Sequence, residues 1–460
     1  MPTYTRLTDE HIAQLTAMLD PERVSVKAAD LDQHSRDQSF HEAHLPEAVI
    51  WPESTEEVSR VLRFANANLI PVTAWGAGTS LEGNSLAVYG GIVMDFSRMN
   101  RILNVRAEDF QVDVQPGLTR LELNKALQRY GLFFTPEPGA NASIGGMIAN
   151  NASGIKTIKY GATKDNVLRL EVVQANGDVL HVGTRARKDS SGYDLLHLFV
   201  GSEGTLGLVT EATLKLEPLP ANYSATLAAF RAIEPAIQTV VDIVGAGLEP
   251  SALEFVDTET IRALRLDKGL DLVEAPTLIV EFNGTSDSEG LVSAQAICEQ
   301  NGAINFRAAS GLEERNRLWE ARHHTYESLL RQHPGKAQQI VDVCVPISRY
   351  PEIVLYANDV LTEHGLLGYK FGHAGDGNLH INIIHEPDSA ADIERVQAAY
   401  ALIVERAIDL EGTATGEHGV GIGKRKFIVR QHGQALNVMR QIKDLLDPNG
   451  ILNPGKIFLE

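Results

Sequence analysis

The spacing of apolar residues changes several times along the chain, and each change marks an element. Thr8 to about Leu19 reads as a short helix, followed by an irregular arm. Ala48–Pro52 (AVIWP) reads as a strand. Ser54 and Glu57 then stand three apart before a run in which Val58, Val61, Leu62 and Ala65 share one face, so a capping box is expected to open a helix. Ile70–Ala74 is the next strand; it feeds a glycine-rich loop, WGAGTSLEGN (Trp75–Asn84), and a further strand follows in GGIVMDFS. Past Pro220, strand, helix and strand recur in 225–256, 277–308 and 339–385, which predicts split βαβ units stacked into one antiparallel sheet. In the last unit, FGHAGDGNLHIN (Phe371–Asn382) places a Gly-Asp-Gly-Asn turn before a polar–apolar alternation, the pattern of a hairpin.

That hairpin carries the densest candidate chemistry. Period-two alternation puts His380 and Asn382 on one face, and His373 lies on the incoming arm, so both imidazoles can converge. TGEHG (Thr415–Gly419) can complete the group with Glu417 and His418. Two histidines and one carboxylate leave coordination positions open, as a catalytic divalent metal requires; Zn, Mn and Fe all suit such donors.

Three glycine-rich pieces supply a second theme. In Trp75–Asn84 consecutive backbone N–H groups can face a pyrophosphate. The loop is not a Rossmann fingerprint, because the glycine after Gly76 and Gly78 is Gly83, two residues late, and a strand follows rather than a helix. PGANASIGGMIANNASGIKTIKYG (Pro138–Gly161) is too long to be a mere connector, and its small residues would let the chain wrap closely around an extended cofactor. GSEGTLGLVTEATLKLEPLP (Gly201–Pro220) adds a third turn and a closing strand. GVGIGKRK (Gly419–Lys426) is no phosphate loop: no glycine stands five before Gly423, and Arg425 follows Lys424 where Ser or Thr is needed.

Composition narrows the class. At 460 residues two or three domains are expected. A formal charge of −19 argues against nucleic acid, whose binding is driven by Lys and Arg. No run approaches the roughly 18 apolar residues of a membrane span, and the N-terminal stretch lacks the layout of a signal or transit peptide. Cys298 and Cys344 have no close-spaced partner and read as buried, reduced thiols, with the cytoplasm as default compartment.

The three glycine pieces, in this order, resemble the p-cresol methylhydroxylase type of FAD-binding domain in the vanillyl-alcohol oxidase superfamily. The resemblance implies an α+β domain of two subdomains over about 45–220 with FAD between them. Its implied cofactor contacts are Trp75, Gly76, Ala77, Gly78, Thr79, Ser80, Gly83 and Asn84 around the pyrophosphate. Near the flavin they are Pro138, Gly139, Ser143, Gly145, Gly146, Asn150, Ser153, Gly154, Tyr160 and Gly161. Glu203, Gly204, Val209 and Asn453 complete the set. Some members attach the flavin to a histidine in the first loop; Thr79 stands there in this chain, so FAD is expected to be non-covalent.

The remaining motifs are LWEAR (Leu318–Arg322), GHAGDGNLHIN, GTATGEHGVGIGK (Gly412–Lys424) and DPNGILNPGKIF (Asp447–Phe458). They resemble the C-terminal domain of the FAD-linked oxidases: cytochrome-linked D-lactate dehydrogenases, the glycolate oxidase D subunit and D-2-hydroxyglutarate dehydrogenase. The implied layout is an N-terminal helix and arm (1–44), the FAD domain (45–220), an α+β substrate and metal domain with an antiparallel sheet (221–445), and a C-terminal segment returning to the FAD domain (446–460). His373, His380 and Glu417 match the family's metal ligands and His418 its proton acceptor. Arg322, with Trp319 on the same helix face, matches the grip on the substrate carboxylate, and Asn382 can bond the same acid.

His34–Pro52 and Asp342–Val354 look most like the cytochrome-linked D-lactate dehydrogenases. D-2-hydroxyglutarate dehydrogenases carry an extra lysine shortly before the aspartate matching Asp342, whereas here Gln338, Gln339, Ile340 and Val341 are all uncharged. The resemblance therefore implies oxidation of D-lactate and related aliphatic D-2-hydroxy acids, with glycolate or D-2-hydroxyglutarate as alternatives. Electrons would leave to a quinone, a cytochrome or an electron-transfer flavoprotein. Peripheral contact with an inner membrane and a homodimer are compatible with it. From the residues alone, a metallohydrolase or a non-catalytic nucleotide-binding module are competing readings, but neither explains both halves of the chain.

Overall fold

The apolar face at Val58, Val61, Leu62 and Ala65 forms a helix, Thr55–Asn68, whose N-terminus Ser54 caps by accepting from the Glu57 N–H. The expected reciprocal half of the capping box does not form. The Glu57 carboxylate instead accepts from the Glu53 N–H and from Arg23, at 2.6 and 2.8 Å, because a buried guanidinium is the stronger donor. The computed structural model describes residues 3–283, 287–308 and 312–459. Two units divide the chain: one holds residues 3–153, 161–219 and 417–459, the other 154–160 and 220–416. Residues 284–286, inside the predicted 277–308 unit, lie outside the described residues.

Besides a two-stranded pairing of Leu132–Phe133 with Glu217–Pro218, the first unit has two larger sheets with separate cores. In the smaller, Ala48–Ile50, Ile92–Asp95 and Val72–Trp75 run parallel, with Val24–Ser25 added antiparallel at one edge. The helices Asp9–Met18 and Thr55–Asn68 pack on it through Leu15, Val58, Val61 and Leu62. The larger is antiparallel, in the order Ile102–Arg106, Gln111–Val114, Leu208–Lys215, Val167–Val173, Val179–Gly183. Its core takes Leu123 and Leu127 of one helix and Met147 and Ile148 of another. The return of the chain to this unit begins at Glu417, earlier than the 446 expected. The final stretch lies along the smaller sheet, Val72 N–H donating to the Ile451 carbonyl and Asn453 N–H to the Val72 carbonyl, both at 2.8 Å.

The second unit is built on one seven-stranded sheet in which every pairing is antiparallel. Its order is Asn305–Ala308, Tyr223–Ala229, Thr277–Asn283, Ala252–Val256, Leu367–Gly372, Asn378–His385, Ala337–Cys344. Register decides what the sheet is for, since residues directly opposite point to the same face. Asp342 lies opposite His380 and His380 opposite Phe371, while Ile340, Asn382 and Tyr369 form the next row. Val256 stands opposite Phe371, and two residues back on its strand Glu254 shares that face; Ala252 is opposite Glu281. The acids, histidines and amides of four strands thus project from one side. Helices Thr258–Lys268, Leu312–His323 and Thr325–Gln332 cover that side through Ile261, Leu318, Trp319 and Leu329. The reverse face carries buried apolar residues such as Leu253, Phe255, Val280, Val341 and Ile381.

Among the described residues no helix is long and apolar enough to cross a membrane. Both cysteines are free thiols. Cys298 is buried, which pushes its thiol up to about 12. Cys344 is only half-buried, contrary to expectation, and its Sγ donates to the Asp376 carbonyl.

Candidate active site

The 371–382 hairpin forms as its pattern required. Strands Leu367–Gly372 and Asn378–His385 are joined by a short turn through Ala374–Asp376 that closes at Gly377. Gly377 has φ +77° and a Cβ there would fall 2.0 Å from the Val345 carbonyl oxygen, so only glycine lets the neighbouring chain pass. The turn brings the rings of His373 and His380 to a centroid distance of 5.1 Å at 86°, both side chains buried. One ligand atom from each of His373, His380 and Glu417, the residue directly after Gly416, lie within 4.8 Å of one another. Two imidazoles and a carboxylate at this spacing fit a divalent cation.

Two residues that the sequence reading did not assign organise this group. Asp342, fully buried, accepts from Asn378 Nδ2 at 2.9 Å, Thr415 Oγ1 at 2.9 Å and Gly416 N–H at 2.8 Å, which ties the start of TGEHG to the hairpin. Glu254, also fully buried, accepts from His373 Nδ1 at 2.7 Å and pairs with the Arg322 guanidinium at 2.5 Å. Burial works to raise the Glu254 carboxyl, but the charges of His373 and Arg322 hold it below the usual carboxylate range. A lone acid within an otherwise apolar strand, as in ALEFV and IVDVC, was the available signal, because a buried carboxylate must have partners.

Arg322 is buried, its guanidinium 4.9 Å from the centre of the Phe371 ring. Trp319 packs in the core, and its indole N–H donates to Glu281 Oε2 at 2.6 Å, so its one polar atom is spent inside the protein. Asn382 Nδ2 donates to Gln338 Oε1 at 2.8 Å. His418 is largely buried: its Nε2 lies 3.9 Å from Glu417 Oε1, and its carbonyl accepts from Asn150 Nδ2.

The glycine pieces meet within the first unit. Gly78, with φ +67°, lies against the Trp75 indole, which would sit 2.7 Å from a Cβ there. A Cβ at Gly76 would fall 2.2 Å from Ser143 Oγ, so the first and second pieces abut, while one at Gly139 would meet nothing within 4 Å. Ser143 caps the 144–150 helix by accepting from Gly146 N–H, beside Gly145, and Ser80 donates to Asn84. Backbone bonds from Gly201 and Glu203 to the carbonyls of Ile148 and Ala149 join the third piece to the second. Ala77 is exposed, and Thr79 and Pro138 are half-buried. This cradle of small residues fits the pyrophosphate and ring of FAD.

Several implied contacts also bond within the protein. Asn453 Nδ2 donates to the carbonyls of Asn84 and Glu203, and its Oδ1 accepts from Lys456 Nζ. Glu203 accepts from Val420 and Gly421 N–H at 2.6 and 2.9 Å, with burial raising its carboxyl against those donors. Burial pushes the Lys456 ammonium down to about 7 against the pull of Glu203. These residues latch the C-terminal stretch and the His418 loop onto the glycine loops. Ser153 donates to Glu417 Oε2, Gly204 has φ +68°, and Val209 sits in strand pairing with Val172. Gly154 and Tyr160 belong to the second unit, where Tyr160 Oη and Lys159 Nζ reach Asn283 Oδ1; Gly161 opens the next segment of the first.

This architecture is that of the p-cresol methylhydroxylase-type FAD enzymes. The solved structure of p-cresol methylhydroxylase with substrate bound superposes with a TM-score of 0.81 at 17% identity, covering 100% of this chain and 99% of that one. Alkyldihydroxyacetonephosphate synthase gives 0.77 at 19%, covering 98% and 85%. Residues 46–183 match the FAD binding domain family, and residues 219–457 match the family described as FAD linked oxidases, C-terminal domain. The chain belongs to the FAD-linked oxidases and is an FAD-dependent oxidoreductase. It is 39% identical to the Arabidopsis thaliana protein named D-lactate dehydrogenase [cytochrome], mitochondrial, over 99% of this chain and 81% of that one. It is 38% identical to glycolate oxidase subunit GlcD of Bacillus subtilis, over 98% and 97%, and 32% identical to D-lactate dehydrogenase of Anaerostipes hadrus, over 99% and 98%.

Proposed function

We propose that the protein oxidises D-lactate and related aliphatic D-2-hydroxy acids to 2-oxo acids, using non-covalent FAD and a divalent metal held by His373, His380 and Glu417. The observation that carries this reading is the convergence of those three donors, two of them on the hairpin that also bears Asn382, with Arg322 reaching its Phe371 ring from the covering helix. The Arg322 guanidinium supplies a fork of donors for the substrate carboxylate, and Asn382 can bond the same acid. His418, whose Nε2 lies beside Glu417, accepts the hydroxyl proton. A bound cation would supply Lewis acidity toward the substrate's oxygens, and bound FAD supplies the acceptor for the α-hydride.

Substrate size follows from the strand facing Asn382. Gln338, Ile340 and Asp342 share its inner face, and Ile340, opposite Asn382, offers no cation for a second carboxylate. A second buried carboxylate without a partner costs several kcal/mol, so a diacid should be disfavoured by roughly 100-fold or more. The names of relatives support both D-lactate and glycolate, and D-lactate is preferred on the motif likeness in 34–52 and 342–354. Electron exit to a quinone, cytochrome or electron-transfer flavoprotein, a cytoplasmic site with peripheral membrane contact, and a homodimer belong to the same proposal. Initial rates with D-lactate, L-lactate, glycolate and D-2-hydroxyglutarate and a dye acceptor test it. The highest kcat/KM is expected for D-lactate; a preference for D-2-hydroxyglutarate or glycolate would overturn the substrate assignment.

A further inference from the structure

The Glu254 carboxylate touches both His373 and Arg322. It sits on the inner face of the Ala252–Val256 strand, fully buried, 119 positions before His373 in sequence. One oxygen accepts from His373 Nδ1 at 2.7 Å; the other lies 2.5 Å from Arg322, whose guanidinium is backed by the Phe371 ring. A carboxylate can only accept, so Nδ1 must carry a proton, which leaves Nε2 as the ring nitrogen able to ligate a cation. The same anion offsets the charge of a buried arginine. Removing it would release the guanidinium from its place over Phe371.

We infer that Glu254 is a positioning residue that fixes both the ligating nitrogen of His373 and the orientation of Arg322, so that metal affinity and grip on the substrate carboxylate depend on one side chain. This inference rests on the proposed metal and substrate roles of those two residues. Its signature is a double effect that neither partner's own replacement produces. Carboxylates hydrogen-bonded to ligand histidines typically change metal affinity by about 10- to 100-fold when replaced.

The test uses the FAD-loaded protein, with Zn2+ affinity measured by competition against a chelator and KM for D-lactate measured in parallel. Glu254→Gln is expected to weaken Zn2+ by about 10- to 100-fold and to raise KM. Arg322→Met is expected to raise KM while leaving the Zn2+ affinity unchanged. Glu254→Asp, which keeps the charge near Arg322 but draws the oxygen back from His373, should weaken Zn2+ by about tenfold, and it serves should the glutamine variant fail to retain flavin. Wild-type-like Zn2+ affinity in the folded Glu254 variants, with wild type binding the ion, would overturn the inference alone. A wild-type protein that binds no divalent cation would overturn the metal reading and this inference together.

Discussion

Asp342 offers a severe test of how the second unit holds its polar face together. Replacing it by asparagine keeps the shape but removes the charge and turns one acceptor into a donor. In the native fold, Oδ2 accepts from both Thr415 Oγ1 and Gly416 N–H, and Oδ1 accepts from Asn378 Nδ2. Whichever way the new amide is oriented, its NH2 meets at least one of these donors. A hydrogen bond to a buried charge is worth about 1.5–3 kcal/mol, and a stranded donor costs a further 1–3 kcal/mol, so a loss of about 2.5–6 kcal/mol is expected. For a unit of about 200 residues this corresponds to a fall in Tm of roughly 5–24 °C. Calorimetry of the FAD-loaded protein measures it, with Thr415→Val, which removes one of these bonds, expected to cost about 1.5–3 kcal/mol. A melting transition within about 1 °C of wild type for Asp342→Asn would refute the claim that this carboxylate anchors the loop.

Three other outcomes are expected. His418→Ala should slow reduction of the flavin by substrate, followed by stopped flow, by a factor of about 100 to 10,000; an unchanged rate places the base elsewhere. Alanine at His373, His380 or Glu417 should abolish turnover; for the two histidines the visible flavin spectrum should persist, because they lie in the second unit and the glycine cradle in the first. Both ring nitrogens of His34 face oxygen acceptors, the Asp30 carbonyl at 2.7 Å and Asp95 at 3.0 Å. Burial opposes its charge, but the Asp95 and Asp30 bonds outweigh it and raise the pKa. The resulting stability is therefore fully present below about pH 6.5 and lost as pH rises through the folded-state value. The difference in unfolding free energy between wild type and His34→Gln should shrink over that range; a constant difference would exclude an imidazolium.

Local patterns were legible in the chain and long-range pairings were not. Alternation across Phe371–Asn382 and the glycine turn placed His373, His380 and Asn382 correctly, since a hairpin is set by neighbours in sequence. The repeated strand–helix–strand rhythm likewise gave the antiparallel sheet. Glu254 escaped notice because its partners, His373 and Arg322, reach it only through strand order and helix packing, which no local period encodes. Asp342 served only as a landmark, although its register opposite His380 makes it central. Trp319 matched a substrate motif, yet its indole is committed to Glu281, another solitary acid in an apolar strand. Glu57 shows the limit of cap rules: a nearby arginine from outside the helix took its carboxylate. Asn453 and Glu203, expected as cofactor contacts from motif likeness, also bond to Asn84 and Val420, because likeness marks a position without saying which protein neighbour it bonds.

The most direct measurement is anaerobic mixing of the FAD-loaded protein with single 2-hydroxy acids while flavin absorbance is followed. D-lactate is expected to bleach the oxidised flavin in a single turnover and release pyruvate in equal amount, with L-lactate leaving the spectrum unchanged. Equal bleaching by L-lactate, or none by any 2-hydroxy acid in metal-replete protein, would contradict the assignment of this chain as a D-2-hydroxy-acid dehydrogenase.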